Sequence, residues 1–181
     1  EITERDWSSD VCSSDLLLLG AWWYVGWFSN LQVEEKEMGP YTMVYVEHVW
    51  AYEKVWPVMD EIYQTLKKAG IDQTAGIGIY YDDPAITPKD ELRSEVGSVI
   101  NSTDVSKVED LWTSYKIKTI DQKERVVVAF PYRNMLSYMV GPMKVYPVLN
   151  KHMTEKGYTV TTSAIELYDV ANKMIYFMMD K

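Results

Sequence analysis

The sequence predicts an α+β domain made of two pseudo-symmetric βαββ modules that share a central cleft. Three observations support this. Segments rich in β-branched and aromatic residues alternate with amphipathic helical ones. The order strand–helix–strand–strand occurs twice, and the two helices end alike, at Lys67-Lys68-Ala69-Gly70-Ile71 and Thr154-Glu155-Lys156-Gly157-Tyr158. Each half has a single helix to cover one face of its strands, so neither buries much core alone, and the two are expected to pack side by side.

In the first half, Thr42–His48 alternates β-branched and aromatic residues, a strand signal. Pro57–Gly70 carries Val58, Ile62 and Leu66 as one apolar stripe, with Lys67 and Lys68 in its last turn and Gly70 as a stop. Gly76–Tyr81 is a strand closed by Asp82-Asp83-Pro84, and Leu92–Ile100 is its antiparallel neighbour. Asn101–Asp110 is a polar loop or a short helix. In the second half Arg125–Phe130 is a strand, and Pro142–Gly157 is a helix carrying Val145, Val148, Leu149 and Met153. Ser163–Tyr168 and Lys173–Met179 are paired strands. Counted from the helix ends, Tyr81 aligns with Tyr168, and Ile79 with Glu166.

Composition narrows the function. The chain has 181 residues, a formal net charge of −9, 47% hydrophobic residues and 25% charged ones. With a mean hydropathy of −0.24 this excludes a multi-span membrane protein and a disordered one. The acidic balance argues against a nucleic-acid surface, which needs clustered Lys and Arg. One cysteine, Cys12, excludes an internal disulfide. The two histidines, His48 and His152, lie on different elements without metal-ligand spacing, so neither metal nor cofactor is expected.

The front of the chain stands apart. Residues 1–16 contain Asp6-Trp-Ser-Ser-Asp-Val-Cys-Ser-Ser-Asp-Leu16, one reading frame of a common sequencing adapter, and are expected to be an artefact. They hold five acids, one base and the cysteine, so without them the net charge is −5. Leu17–Phe28 is uncharged and apolar, with Trp22, Trp23, Tyr24 and Trp27 at its end. Residues 17–30 are expected to be a truncated N-terminal membrane anchor, a single span, with a signal sequence and a strand or helix of the domain as alternatives. Residues 31–181 form the domain.

One acid is out of place. Glu166 sits between Ala164-Ile165 and Leu167-Tyr168, and strand alternation puts Ala164, Glu166 and Tyr168 on one face. A carboxylate there needs a partner, or burial raises its pKa. A cross-strand ion pair at a sheet edge is the plain alternative. Tyr81 is expected to wall the cleft from the first half, with Tyr52 and Trp56 at the first helix's start and Tyr138 in the corresponding place of the second. Aromatic faces around one carboxylate suit a lipophilic cation, although each ring taken singly also fits an ordinary core. Gly76-Ile-Gly78 lacks the third glycine of a dinucleotide loop, and no Ser–His–Asp set is visible.

Several segments together resemble the gyrase-inhibitor-like (GyrI-like) small-molecule-binding domain: His48-Val-Trp-Ala-Tyr52-Glu-Lys-Val, Gly78-Ile-Tyr-Tyr-Asp-Asp-Pro84, Leu92-Arg-Ser-Glu-Val-Gly-Ser98, Val128-Ala-Phe-Pro-Tyr132, Met143-Lys-Val-Tyr-Pro147 and Ala164-Ile-Glu-Leu-Tyr-Asp169. The likeness runs from about Val33 to the C-terminus and extends to the membrane-anchored branch, which is found in bacteria and includes a testis-expressed ER-phagy receptor. It implies two βαββ modules, related to the SOUL-like fold, and a cleft glutamate that meets cationic, aromatic ligands; the matching position is Glu166. Trp50-Ala51 replaces the usual Gly-Pro before the tyrosine, which alters the cleft mouth. The expected function is a membrane-tethered binding domain for a small hydrophobic molecule, cationic or neutral, with binding favoured over catalysis. A hydrolase of strained, cyclopropane-type electrophiles using the same glutamate, and a scaffold with a vestigial cleft, are the alternatives.

Overall fold

The computed structural model describes residues 30–111 and 114–181. It contains eight strands: β1 (Val33–Met38), β2 (Tyr41–Val49), β3 (Gln73–Tyr80), β4 (Arg93–Ile100), β5 (Lys116–Ile120), β6 (Lys123–Pro131), β7 (Ala164–Asp169) and β8 (Met174–Asp180). Three α-helices accompany them: α1 (Val55–Lys68), α2 (Val105–Leu111) and α3 (Ser137–Lys156). All strands join one antiparallel sheet in the order β1-β6-β8-β7-β3-β4-β2-β5. The order β2-α1-β3-β4 returns as β6-α3-β7-β8, and the two modules meet where β3 pairs with β7.

The connections force this sheet to curl. β1 and β2 stand far apart in the sheet order, yet only Gly39 and Pro40 link them; Asp121 and Gln122 likewise link β5 to β6. The ends of the sheet must therefore approach each other. Arg125, 2% exposed, ties the closure together. Its guanidinium donates to Asp180 Oδ1 (2.9 Å), the Met38 carbonyl (2.7 Å) and the Asp121 carbonyl (3.1 Å). Met43, Ile77, Val127, Leu167 and Met178 pack together on one face of the curl. On the other face, α1 brings Val55, Met59, Ile62 and Leu66, and α3 brings Val145, Leu149 and Met153.

Three sequence expectations need correction. The charged segments that form β1 and β5 read as connectors because Glu and Lys have low strand propensity; as strands they sit at the sheet ends, where charge is tolerated. α3 starts five residues before Pro142 and contains both Pro142 and Pro147, with the Ser137 hydroxyl accepting from the Arg133 and Asn134 amides below its first turn. The single N-terminal membrane span is not upheld. No helix among the described residues is long and apolar enough to cross a membrane. The 20-residue α3 has the length, but it carries Lys144, Lys151, His152, Glu155 and Lys156. Residues 1–29, which hold the apolar run, lie outside the described part.

The closeness of β2 and β4 rests on Gly97. A Cβ at this position would lie 1.8 Å from the Val44 carbonyl oxygen, a backbone atom that cannot swing aside. Gly97→Ala is expected to cost more than about 3 kcal/mol, seen in urea unfolding as a large fall in midpoint or as insoluble protein. A soluble variant with an unchanged midpoint would contradict this packing.

Candidate functional site: a buried glutamate among tyrosines

Glu166 lies at the middle of the sheet. β7 is the fourth strand in the order, and the cross-strand neighbours of Glu166 are Gly78 on β3 and Phe177 on β8. The residue is 5% exposed, so no sheet-edge ion pair forms. Its partners are phenols. Tyr146 Oη donates to Oε1 at 2.5 Å and Tyr168 Oη to Oε2 at 2.7 Å. Tyr80 Oη lies 2.8 Å from Tyr168 Oη, extending the chain by one more hydroxyl.

Gly78 makes room for that third phenol. A Cβ here would come within 2.8–2.9 Å of the Tyr80 ring, so the ring lies back along its own strand toward the seam. The Tyr52 ring meets Tyr80 edge-on at 4.8 Å. Tyr52 Oη accepts from the Asp82 amide (3.0 Å) and donates to the Arg93 carbonyl (3.1 Å), which fixes the turn before α1 against the end of β3. Trp56, in the first turn of α1, packs on Tyr138 of α3 at 4.0 Å and on Tyr168 at 5.1 Å. Tyr138 also touches Tyr168 (5.6 Å) and Tyr132 (5.0 Å). The N-terminal ends of the two helices thus meet over the seam, and their rings fill it.

Electrostatics follow from this burial. Desolvation pushes the Glu166 carboxyl up to about 7, and the hydrogen bonds from Tyr146 and Tyr168 oppose that rise without cancelling it. Burial and the adjacent Glu166 raise Tyr80, Tyr146 and Tyr168 well above the usual phenol value. Burial also raises Tyr138. No Lys, Arg or His among the described residues is hydrogen-bonded or ion-paired to Glu166.

Of the residues singled out in the sequence, Glu166, Tyr168, Tyr138, Trp56 and Tyr52 come together. Tyr81 does not. It packs on the opposite face of the sheet with the cluster around Ile77, Ile79 and Leu167. Ile79 shares that face and pairs with Ile165, so Gly78, not Ile79, stands opposite Glu166. The count from the helix ends fails for two reasons. Thr74 is bulged out between Gln73 and Ala75, and the helix-to-strand connectors differ in length, Ala69–Asp72 against Gly157–Ser163. A one-residue slip reverses every side chain of a strand. Two phenols of the site, Tyr80 and Tyr146, have no clear sequence signal. The Gly78-x-Tyr80 spacing was the available one for Tyr80, and Tyr146 merely flanks the apolar stripe of α3.

A cavity of about 400 Å³ lies elsewhere, bordered by Val46, Val58, Ile62 and Tyr115. It sits over β2, three strands from Glu166. No group of acids, His and Cys suited to a metal ion occurs among the described residues.

The fold also sets the sign of a pH effect. Folded Glu166 holds its proton more tightly than in the unfolded chain, where its pKa is near 4.5. The stability associated with its neutral form is complete below pH 4.5 and is lost as pH rises through about 7. Glu166→Gln removes this loss. In urea unfolding at pH 5 and pH 8, the variant should gain roughly 2–3 kcal/mol on the wild type at the higher pH. A difference that is the same at both pH values would contradict a buried, proton-holding carboxyl.

No family model matches the chain. Human Testis-expressed protein 264 is 31% identical over 86 residues, 44% of this chain and 28% of that protein. The mouse homolog is 27% identical over 121 residues, 64% of this chain and 38% of that protein. The chain thus spans well under half the length of these curated relatives. Among solved structures, EcmrR in its complex with DNA superposes with a TM-score of 0.63 at 17% identity, over 94% of this chain and 64% of that one. The crystal structure of the EcmrR C-terminal domain gives 0.59 at 18% identity, over 82% of this chain and 96% of that one. Together with the curled sheet and its twice-used βαββ order, these superpositions show that the chain has the GyrI-like, effector-binding fold.

Proposed function

We infer that the chain binds a small, largely hydrophobic molecule at the seam between its two modules, with Glu166 as the polar anchor. The observation that carries this is the Glu166 carboxyl itself: central, 5% exposed, bonded only to phenols and walled by aromatic rings. A purely structural role at this position would be served better by an apolar side chain, because an unpaired buried acid costs several kcal/mol when ionised. Ligand sites of this kind are mostly apolar with a few placed polar groups. Entry requires the Trp56–Tyr138 pair to part, since these rings cover Tyr168. Leu136 and Met139, on either side of Tyr138 in the chain, are 51% and 66% exposed and give the mouth an apolar rim. The likeness to an effector-binding domain supports the same function.

A second function, hydrolysis of a strained electrophile, draws on the pKa of about 7 at Glu166 and its contact with Tyr168, which would let the neutral acid protonate a leaving carbon or oxygen. The filled seam favours a scaffold role instead. Both give outcomes different from simple binding in the following experiment. A bound hydrophobic ligand at about ten times its Kd should raise Tm by roughly 3–5 °C. Trp56→Ala or Tyr138→Ala should weaken that shift at least tenfold in ligand concentration, while Tyr81→Phe leaves it unchanged. Equal effects of Tyr81→Phe and Trp56→Ala would place the ligand elsewhere. Consumption of the ligand would mark the hydrolase, and no shift with any hydrophobic probe the scaffold.

A further inference from the structure

We propose that Met135, Met139 and Met143 form a methionine-oxidation site at the mouth of the seam. Peroxide there turns an apolar stripe polar and weakens the binding of hydrophobic ligands, a consequence that rests on the binding function assigned above. The row of α3 that faces the sheet is Ser137, Gly141, Val145, Leu149 and Met153, all buried. Met139 and Met143 stand two residues from members of that row, roughly 200° around the helix. Met135 continues their four-residue spacing into the turn before α3, and each of the three is 66% exposed. Toward the C-terminus the same outward row becomes Pro147, Lys151 and Glu155, also exposed, the last two ion-paired at 3.8 Å. Half of this row is a common solvated helix face; the other half is thioether.

Methionine fills irregular gaps in cores, which is the position of Met43, Met153, Met178 and Met179 in this protein. On an exposed helix face packing does not select it, and what separates it there from leucine is the oxidation of its sulfur. The reaction is R–S–CH3 plus H2O2 giving R–S(O)–CH3 plus H2O. The peroxide O–O bond breaks, an S–O bond forms, and sulfur gives up two electrons to the peroxide. Methionine sulfoxide reductases reverse the change. The turn that carries the stripe couples it to the seam. The Ser137 hydroxyl accepts from the Arg133 and Asn134 amides (3.0 and 3.3 Å), and Asn134 Oδ1 accepts from the Leu136 amide (2.9 Å), so Met135 and Leu136 are fixed to the first turn of α3. Tyr138, between Leu136 and Met139, packs on Trp56 at 4.0 Å over the seam. Oxidation therefore makes the mouth polar and leaves the core untouched, because sulfoxides at these positions stay in water.

The test treats the full chain with hydrogen peroxide and follows sulfoxide at each methionine by peptide mass spectrometry, while the neutral fluorophore N-phenyl-1-naphthylamine reports binding. Met135, Met139 and Met143 should oxidise at least about tenfold faster than Met43, Met153 and Met178, with an unchanged far-UV circular dichroism spectrum. The oxidised protein should bind the fluorophore at least about threefold more weakly, the loss of roughly one methyl contact. Methionine sulfoxide reductases A and B together should restore the affinity. A variant combining Met135→Leu, Met139→Leu and Met143→Leu keeps Cys12 and the other methionines, and its affinity should be the same before and after peroxide. If all six methionines oxidise at one rate, the site is overturned. If the three oxidise first but the affinity holds, or if the leucine variant loses affinity as the wild type does, the link to the seam is overturned. If the untreated protein binds no fluorophore, the binding function and the link fall together, and the sulfoxide pattern alone decides the oxidation site.

Discussion

The antiparallel pairing of β3 with β7 decides where each group at the centre of this protein goes. It joins the two modules, and it sets Gly78 opposite Glu166, Gly76 opposite Tyr168 and Tyr80 opposite Ala164. The face toward the helices therefore offers, on two neighbouring strands, an acid, two phenols and two positions without side chains. Gly78 is what allows the Tyr80 ring its place, since a Cβ there would come within 2.8–2.9 Å of it, whereas a Cβ at Gly76 would only touch Tyr168 at 3.5 Å. The curl of the sheet, tied by Arg125, and the two helices act on this pairing from outside. The curl puts one face inward around Ile77, Leu167 and Met178, and the helices close the other.

Burial and chemistry oppose each other at Glu166. The core around it is apolar enough to stabilise the domain and too dry to favour a carboxylate. Tyr146 and Tyr168 moderate this conflict, since a phenol serves both protonation states of its partner. A lysine or arginine in their place would settle the charge permanently. The protein does use such permanent pairing elsewhere. At the sheet end, on β1, Glu35 accepts from Lys181 (2.6 Å), Tyr158 (3.1 Å) and His152 (3.3 Å), and these contacts, chiefly those of Lys181 and His152, hold its carboxyl down to about 2. Two glutamates of one domain are thus driven in opposite directions by the presence or absence of cations around them.

Much of this was legible in the sequence. The duplicated strand and helix order, the apolar stripes of α1 and α3, and the acid among Ala164, Leu167 and Tyr168 all follow from periodicity. The sequence also yields Trp56, Tyr52 and Tyr138 near the helix starts, because aromatic residues cluster there. What it hides is parity. Tyr80 and Tyr81 are adjacent and equally plausible, and only the bulge at Thr74 together with the β3–β7 register determines which one faces the acid. Tyr146 is hidden for a different reason: a helix position at the flank of the apolar stripe reaches Glu166 only once the angle of α3 on the sheet is fixed. β1 and β5 escape notice because end strands carry charge on purpose.

The central claim is that burial raises the Glu166 carboxyl to about 7, against the hydrogen bonds from its phenol partners, so that it exchanges its proton around neutral pH. The most direct test is the titration of its side-chain carboxyl carbon, observed by NMR in protein labelled with ¹³C-glutamate and assigned with Glu166→Gln. A midpoint near 7, well separated from the other glutamates, is the predicted result. A midpoint near 4.5 would mean that water or a positive charge reaches the carboxyl, and would contradict the account.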